Sequence, residues 1–420
     1  MKVSPISESL MKEFLNEFSK LSIKRTAFQQ RQMDNILKIL YNDIRSAKKY
    51  IENQRLLGKV KSHIHEFAKD EPVVLTDLFE SHFVDEPIRN YVKTHIKGYI
   101  QFDAVILNHN IHFHFALLKP DDLLKSYRFE KFLQYALLWM HMAVLYAPAH
   151  CAQNLNIYCF LTPFKKTLPK NQYDILSPEH CNSAVTTSCI KNGEICIYRE
   201  EEFLKVLIHE SFHIFGLDFS NLPTQKLNST IHKIFPIRSE FNLFEAYSET
   251  WASLLNALFC AYSFMEENEG IDDFILYADI CIQCEQMFSL FQCGKILDFL
   301  EIEYPHLYKK DQMSYNVRKY LYRENTNVFA YYIVRSIIMF HLYPFLSWCK
   351  RNNTHLYNFQ KTMQNVDRFG EFIAAHYNKG DFIKKLELLN KFKLDIAAKQ
   401  AHPNNRILVN TLRMSLCEMK

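Results

Sequence analysis

A pair of histidines four residues apart is the most chemically specific feature of this chain. Residues 203–216 read FLKVLIHESFHIFG, an apolar stretch of helical period that contains His209, Glu210 and His213 as H-E-x-x-H. Residues four apart lie on one face of a helix, so both imidazoles can bind one ion while Glu210 leans over the same site. The pattern predicts a zinc hydrolase.

A third ligand must come from elsewhere, because a catalytic zinc ion takes three protein ligands and keeps one open position. The best candidate is in residues 244–252, FEAYSETWA, a second predicted helix with Glu245 and Glu249 four residues apart. We expect Glu245 to bind zinc and Glu249 to accept a ring N–H from a ligating histidine, which fixes the tautomer of that histidine. The spacing alone leaves the reverse assignment open.

These two segments resemble the zincin metallopeptidases of the glutamate-ligand type, the gluzincins, over roughly residues 180–256. The resemblance implies that His209, His213 and Glu245 hold one zinc ion per chain, that Glu210 is the general base, and that the substrate is a peptide bond.

The zincin branch that uses a third histidine fits less well. Gly216 stands where that branch has its glycine, but Phe219 occupies the last ligand position and cannot bind a metal. Asp218 lies one residue short of that position and is expected to be a polar group at the end of the helix.

The residue types suggest a mechanism. Zinc lowers the pKa of its bound water toward about 7, and Glu210 takes a proton as that water attacks a carbonyl carbon, then returns it to the leaving amine. The donor that supports the oxyanion is not evident from the sequence. Tyr247, His232 and several tyrosines between residues 303 and 332 are candidates, and none is assigned.

Residues 182–198, upstream of the motif, form two β-rich runs separated by Asn192-Gly193, which predicts a β-hairpin. By the resemblance to zincins, the first run is the exposed edge strand that pairs with an extended substrate. Asn182 or Ser183 could then contact the substrate backbone.

Composition and periodicity predict the fold class. The chain has 420 residues, 48% hydrophobic and 23% charged, and only 8 glycines, and apolar residues recur three and four apart over long stretches. We expect an α+β protein that is mostly helical, a zincin-like body with one small mixed sheet. The predicted strands lie at about 96–198, a buried helix at 124–147, and the two zinc-binding helices at about 200–216 and 243–260.

Three segments are predicted along the chain: an N-terminal helical segment at 1–70, a catalytic body at 71–260 and a C-terminal helical region at 261–420. Within this plan, residues 220–241 are a polar insertion between the zinc-binding helices, and the final residues are a tail.

The remaining features give expectations on partners and location. The net charge of +4 gives no argument for nucleic acid, and the basic residues between 45 and 61 are expected to form a solvated helix face. The apolar runs at 132–146 and 329–348 contain polar residues, so we expect buried helices and no membrane span.

The start of the chain lacks the apolar core of a signal peptide, and the eleven cysteines follow no disulfide framework, so we expect reduced thiols and a cytoplasmic location. Cys281-x-x-Cys284 has no second pair and no nearby histidine, so it predicts no metal site. A composition rich in Phe, Tyr, Lys, Ile and Asn resembles metallopeptidase-like proteins of large DNA viruses, which would place the chain in the virion or host cytoplasm.

The sequence therefore predicts a zinc-dependent metallopeptidase that acts on a protein or peptide substrate. One alternative is a zinc-bound but inactive zincin body with a structural or scaffolding role. Another is a zinc hydrolase that acts on something other than a peptide.

Overall fold

The fold is α+β, as predicted, with many helices and one small mixed sheet. A computed structural model describes residues 3–68, 75–124, 126–398 and 403–419, with the backbone alone at 403 and 404. The chain forms two compact units. The sheet unit comprises Leu37–Lys165 and Asn182–Asn221, and the helical unit comprises Met1–Ile36, Lys166–Cys181 and Leu222–Met419.

The division into segments 1–70, 71–260 and 261–420 stays a prediction. Its first boundary, between residues 70 and 71, lies outside the described residues.

Six strands form the sheet, in the order β1-β2-β3-β4-β6-β5. Neighbouring strands are parallel in the pairs β3–β4 and β4–β6 and antiparallel in the other three pairs. The strands are β1 (Val60–Glu66), β2 (Gly98–Ile106), β3 (His109–Ala116), β4 (Asn154–Thr162), β5 (Ala184–Thr186) and β6 (Asn192–Arg199).

Helices make up most of the rest of the described chain. They are α1 (Pro5–Asn16), α2 (Phe18–Leu21), α3 (Ala27–Leu56), α4 (Asp77–Glu80), α5 (Glu86–His95), α6 (Tyr127–Val144), α7 (Pro178–Cys181), α8 (Phe203–Ile214), α9 (Gln225–Ile234), α10 (Leu243–Phe264), α11 (Ile271–Phe299), α12 (Gln312–Leu321), α13 (Arg335–Phe340), α14 (Leu342–Asn352), α15 (Met363–His376), α16 (Gly380–Ala398) and α17 (Pro403–Asn410), with a 3₁₀ helix at Tyr304–Leu307 and a π-helical turn at Phe329–Val334.

Aromatic side chains attach α6 and α8 to one face of the sheet. Phe115 of β3 stacks near Phe129 of α6, with ring centroids 5.1 Å apart, and the Trp139 and Phe212 rings of the two helices stack at 5.8 Å. All four side chains are fully buried. Burial of a large aromatic ring is worth about 1.5–3 kcal/mol, so this layer fixes α8 firmly on the sheet. The predicted buried helix at 124–147 is confirmed as α6.

The predicted hairpin before the motif is confirmed, but its turn is not at Asn192-Gly193. Both residues already belong to β6, where they pair with Asn154 and Leu155 of β4. Gly193 packs against α8 instead: a Cβ there would lie 2.4 Å from Cδ1 of Ile214, so that side chain would have to shift. The missing side chain lets the last turn of α8 approach the sheet closely.

Two local predictions were wrong. Residues 60–66 form β1 instead of helix, and the sequence gives no strand signal there because this edge strand is exposed along nearly all its length and has no alternation of apolar residues. The final residues are no tail, since Leu412, Leu416 and most of their neighbours are buried. The polar insertion at 220–241 contains α9, in which Leu227 and Ile231 are buried.

His112 and His114 alternate with phenylalanines along β3 and lie on a partly exposed face of the sheet. Nδ1 of His112 lies 2.5 Å from Oδ1 of Asp103, and Nε2 of His114 lies 3.0 Å from Oδ1 of Asn156. These contacts pair each imidazole with a neighbouring strand, as expected for a half-buried polar sheet face.

One described helix, α11, is long and apolar enough to span a membrane, but most of its apolar window is buried within the protein. The run at 329–348 is bent by 91° between α13 and α14. Both are buried helices in the structure, as the sequence predicted for the second.

Cys151 and Cys189 form a disulfide in the sheet unit, with their Cα atoms 4.7 Å apart. It joins the residues just before β4 to the connection between β5 and β6. Backbone hydrogen bonds flank it, from Ala152 N–H to the Ile190 carbonyl and from Asn154 N–H to the Lys191 carbonyl. The expectation of eleven reduced thiols was therefore wrong for these two cysteines. They are 38 residues apart in sequence, and this spacing matches no known disulfide pattern.

Removing this bond should destabilise the sheet unit. Because the bond closes a 38-residue loop, Cys189→Ser should lower the free energy of unfolding by about 2–4 kcal/mol in urea titrations without reductant. Reductant should lower the stability of the wild-type protein by the same amount and leave the variant unchanged. An equal effect of reductant on both proteins would contradict the assignment.

Candidate metal centre

The motif helix α8 begins and ends abruptly. Glu202, which the sequence placed in its first turn, lies before it in the left-handed conformation with φ of 63°, and its side chain is buried. All twelve residues of α8 are buried, which explains its apolar sequence. Side chains in a closely packed interior have few alternative rotamers, so the polar side chains of α8 are held in fixed directions.

The two histidines of α8 point ring nitrogens at one another. Nε2 of His209 and Nε2 of His213 are 3.2 Å apart, and the rings are inclined by 83°. Two nitrogens that each lie 2.0–2.1 Å from a tetrahedral zinc ion are separated by about 3.3 Å. The Nε2–Nε2 distance therefore matches that of two imidazoles on one zinc ion, and it also matches a hydrogen bond between the two rings.

A carboxylate fixes the orientation of the second histidine. Nδ1–H of His213 donates to Oδ2 of Asp218 at 2.5 Å, which leaves the Nε2 lone pair available for a metal. The other oxygen of Asp218 accepts hydrogen bonds from the backbone N–H and the hydroxyl of Ser220, at 3.1 and 2.7 Å. Asp218 is buried, so this charge-assisted contact is weakly screened. This arrangement is typical of the partner carboxylate of a metal-binding histidine.

Gly216 brings Asp218 to that position. It has φ of +60°, and its N–H donates to the His213 carbonyl while the next N–H, of Leu217, donates to the Phe212 carbonyl. These two bonds define a Schellman motif, which ends α8 and reverses the chain direction. The expectation that Gly216 ends the helix and Asp218 lies near its end is confirmed. What the sequence analysis missed is that Asp218 contacts a predicted ligand, although the glycine at this place is the signal for it.

Glu210 is 9% exposed and lies between the two histidines in sequence, on the same buried helix. Burial of a carboxylate is costly unless it is hydrogen-bonded or paired. Its position is the one expected of the general base.

The two predicted carboxylates belong to the helical unit. Glu245 is in the first turn of α10, where its Oε2 accepts a hydrogen bond from the Tyr331 hydroxyl at 3.2 Å. Tyr331 lies in the π-helical turn, a distortion that often occurs at functional sites. This tyrosine is among the candidate oxyanion donors, and it contacts a predicted ligand.

Glu249 is deeply buried, 1% exposed, and its Oε1 lies 3.9 Å from Nε of the fully buried Arg335. Its assignment as partner of a histidine, and that of Glu245 as third ligand, both stay predictions.

β5 is the edge strand of the sheet, as predicted, and within the described residues no other strand pairs with its outer side. The two residues before it are engaged in the hairpin through their carbonyls. Arg199 Nε donates to the Asn182 carbonyl at 3.0 Å, and Tyr198 N–H donates to the Ser183 carbonyl at 3.0 Å. The Ser183 hydroxyl is buried and has no hydrogen-bond partner among the described residues.

Comparison with known proteins gives no relative. No protein-family model, curated protein or solved structure matches the chain. The resemblance to gluzincins therefore rests on the motif residues alone.

Asp218 should control the metal affinity of this centre. Asp218→Asn keeps the shape of the side chain but removes its charge, and it should weaken zinc binding about 10- to 100-fold, because the imidazole of His213 becomes less basic and less fixed. Competition titration against a chelator measures this. Asp272→Asn, an exposed aspartate in the first turn of α11, is the control and should have no effect. Equal affinities for the two variants would exclude a role for Asp218.

The roles of the two glutamates are separable. Glu245→Ala should lose as much bound zinc as His209→Ala, because each removes a ligand. Glu249→Gln should keep the fold and weaken binding about 10- to 100-fold, as expected for a residue that orients a ligand. Elemental analysis and chelator competition give both values. The opposite ranking would exchange the two roles.

Proposed function

We propose that this protein is a zinc-dependent metallopeptidase of the gluzincin type. The observation that carries the proposal is the geometry of the histidine pair, 3.2 Å between Nε2 atoms, with Nδ1 of one ring bound to Asp218. A hydrogen bond between two core histidines would give the same separation, so the charged partner on Nδ1 of His213 is the feature that favours a metal. The ligand set proposed for zinc is His209, His213 and Glu245.

Zinc in such a site supplies Lewis acidity, which polarises a carbonyl group and brings the pKa of a coordinated water to about 7. The chain supplies the rest of the chemistry. Glu210 accepts a proton from the attacking water and transfers it to the leaving amine. Asp218 holds His213 in the tautomer whose Nε2 is unprotonated, and the hydroxyl of Tyr331 orients Glu245.

The proposed substrate class is supported by the edge of the sheet. An edge strand offers unpaired backbone N–H and C=O groups, and an extended peptide can add to it as a further strand. β5 has such an edge and is followed, after β6, by the motif helix. This order of elements supports a polypeptide substrate over a small molecule.

One observation favours a second candidate, a zinc-bound scaffold without peptidase activity. His209, Glu210 and His213 are only 7%, 9% and 9% exposed. A site this closed would suit a metal whose role is to hold the fold. Glu210 binds no metal in either function, but only the peptidase requires it as a general base.

Glu210→Gln separates the two functions. If Glu210 is the general base, the variant should keep its zinc and its fold but hydrolyse peptides at least about 10²- to 10⁴-fold more slowly. Activity is measured by mass spectrometry on a peptide library. The matched control is Glu200→Gln, a residue just before α8 that pairs with Lys119 and Arg128.

A chelator should also abolish hydrolysis by the wild-type protein. If the zinc-loaded wild type cleaves no peptide in the library and Glu210→Gln changes nothing measurable, the peptidase proposal fails and the scaffold remains.

A further inference from the structure

Three buried cysteines of the helical unit come together from distant parts of the sequence. They are Cys260 in the last turns of α10, Cys281 in α11 and Cys417 in the segment after α17. Their Sγ atoms all lie within 4.8 Å of one another, and none of the side chains is more than 1% exposed.

This separation suits a shared metal ion. Thiolate sulfurs bind zinc at 2.3 Å, so two of them in a tetrahedral shell are about 3.8 Å apart. The three sulfurs can therefore bind one ion after small rotations of their side chains.

The backbone around Cys417 is held from both sides, by the same helices that supply the other two cysteines. Its N–H donates to Oε1 of Glu285 in α11 at 2.8 Å, and its carbonyl accepts from Nδ2 of Asn256 in α10 at 2.6 Å. A ligand set is effective when surrounding hydrogen bonds fix its geometry in advance. Here each helix fixes Cys417 and also contributes a sulfur.

Glu285 holds the segment that contains Cys417. Its Oε1 accepts from the Ser415 hydroxyl and from the Leu416 and Cys417 N–H groups. Burial raises the pKa of this carboxyl group, and the nearby guanidinium of Arg335 opposes that rise.

We propose that Cys260, Cys281 and Cys417 bind one zinc ion, and that this ion fastens the C-terminal segment to α10 and α11. The three thiolates supply three of the four positions in the shell that structural zinc prefers. Arg335, which is fully buried and donates to the Met414 carbonyl, offsets part of the negative charge.

The metal-free alternative is a packed group of three thiols. Hydrogen bonds among these thiols shift their pKa values in both directions, and burial raises them, so the pKa of each lies well above the ordinary value. The two states differ in the bonds to sulfur, and spectroscopy distinguishes them.

Cobalt substitution tests the proposal on the full-length protein. Zinc-free protein, kept anaerobic and without reductant so that Cys151–Cys189 stays bonded, is titrated with Co²⁺. We expect near-ultraviolet thiolate-to-cobalt charge-transfer absorption that is lost on addition of Zn²⁺. The double variant His209→Ala/His213→Ala should keep this absorption, because imidazole and carboxylate ligands give no such band. The test is therefore independent of the proposed peptidase site.

Cys417→Ser should lose the absorption, while Cys284→Ser should keep it. Cys284 is the matched control, since it is buried on the same helix as Cys281 but lies outside the cluster. Absence of thiolate absorption in the wild-type protein would overturn the proposal regardless of how any variant folds. So would a disulfide among the three cysteines, or absorption that survives in Cys417→Ser.

Discussion

The candidate centre depends on how α8 ends. Helical geometry alone brings two imidazoles to the same face, but it does not decide which ring nitrogen of His213 faces the ion. Gly216 determines this indirectly. Its left-handed backbone reverses the chain direction, which brings Asp218 to Nδ1 of the His213 ring. Ser220 then holds Asp218 in place. The chemistry of the site thus follows from one backbone conformation that glycine adopts without strain.

The sheet unit gives this helix a rigid support. The aromatic layer between α6 and α8 and the close approach of Ile214 to Gly193 set the position of α8 on β6. The same strand pairs with the edge strand β5. A rigid element that carries the proposed ligands, in one unit with a strand edge, would suit a peptidase, since the substrate backbone must be held while one bond reacts.

The sequence predicted the features that have a local signature. H-E-x-x-H in a run of helical period indicated α8, and β-rich runs indicated most of the sheet. It failed where a residue acts through distant contacts. Gly193 was interpreted as a turn residue because its need for space against Ile214 is a tertiary property, and the exposed strand β1 has no apolar alternation. Nothing in the spacing of Cys260, Cys281 and Cys417 relates them, because the packing of α10, α11 and the C-terminal segment alone brings them together.

The central claim is that His209 and His213 hold a zinc ion. Anomalous diffraction from crystals of the purified protein, collected on both sides of the zinc absorption edge, tests it most directly. We predict a peak about 2.0–2.1 Å from both Nε2 atoms, with a carboxylate oxygen of Glu245 completing the protein ligands. A direct hydrogen bond between the two Nε2 atoms, with no anomalous peak beside them in crystals grown with zinc, would contradict the account.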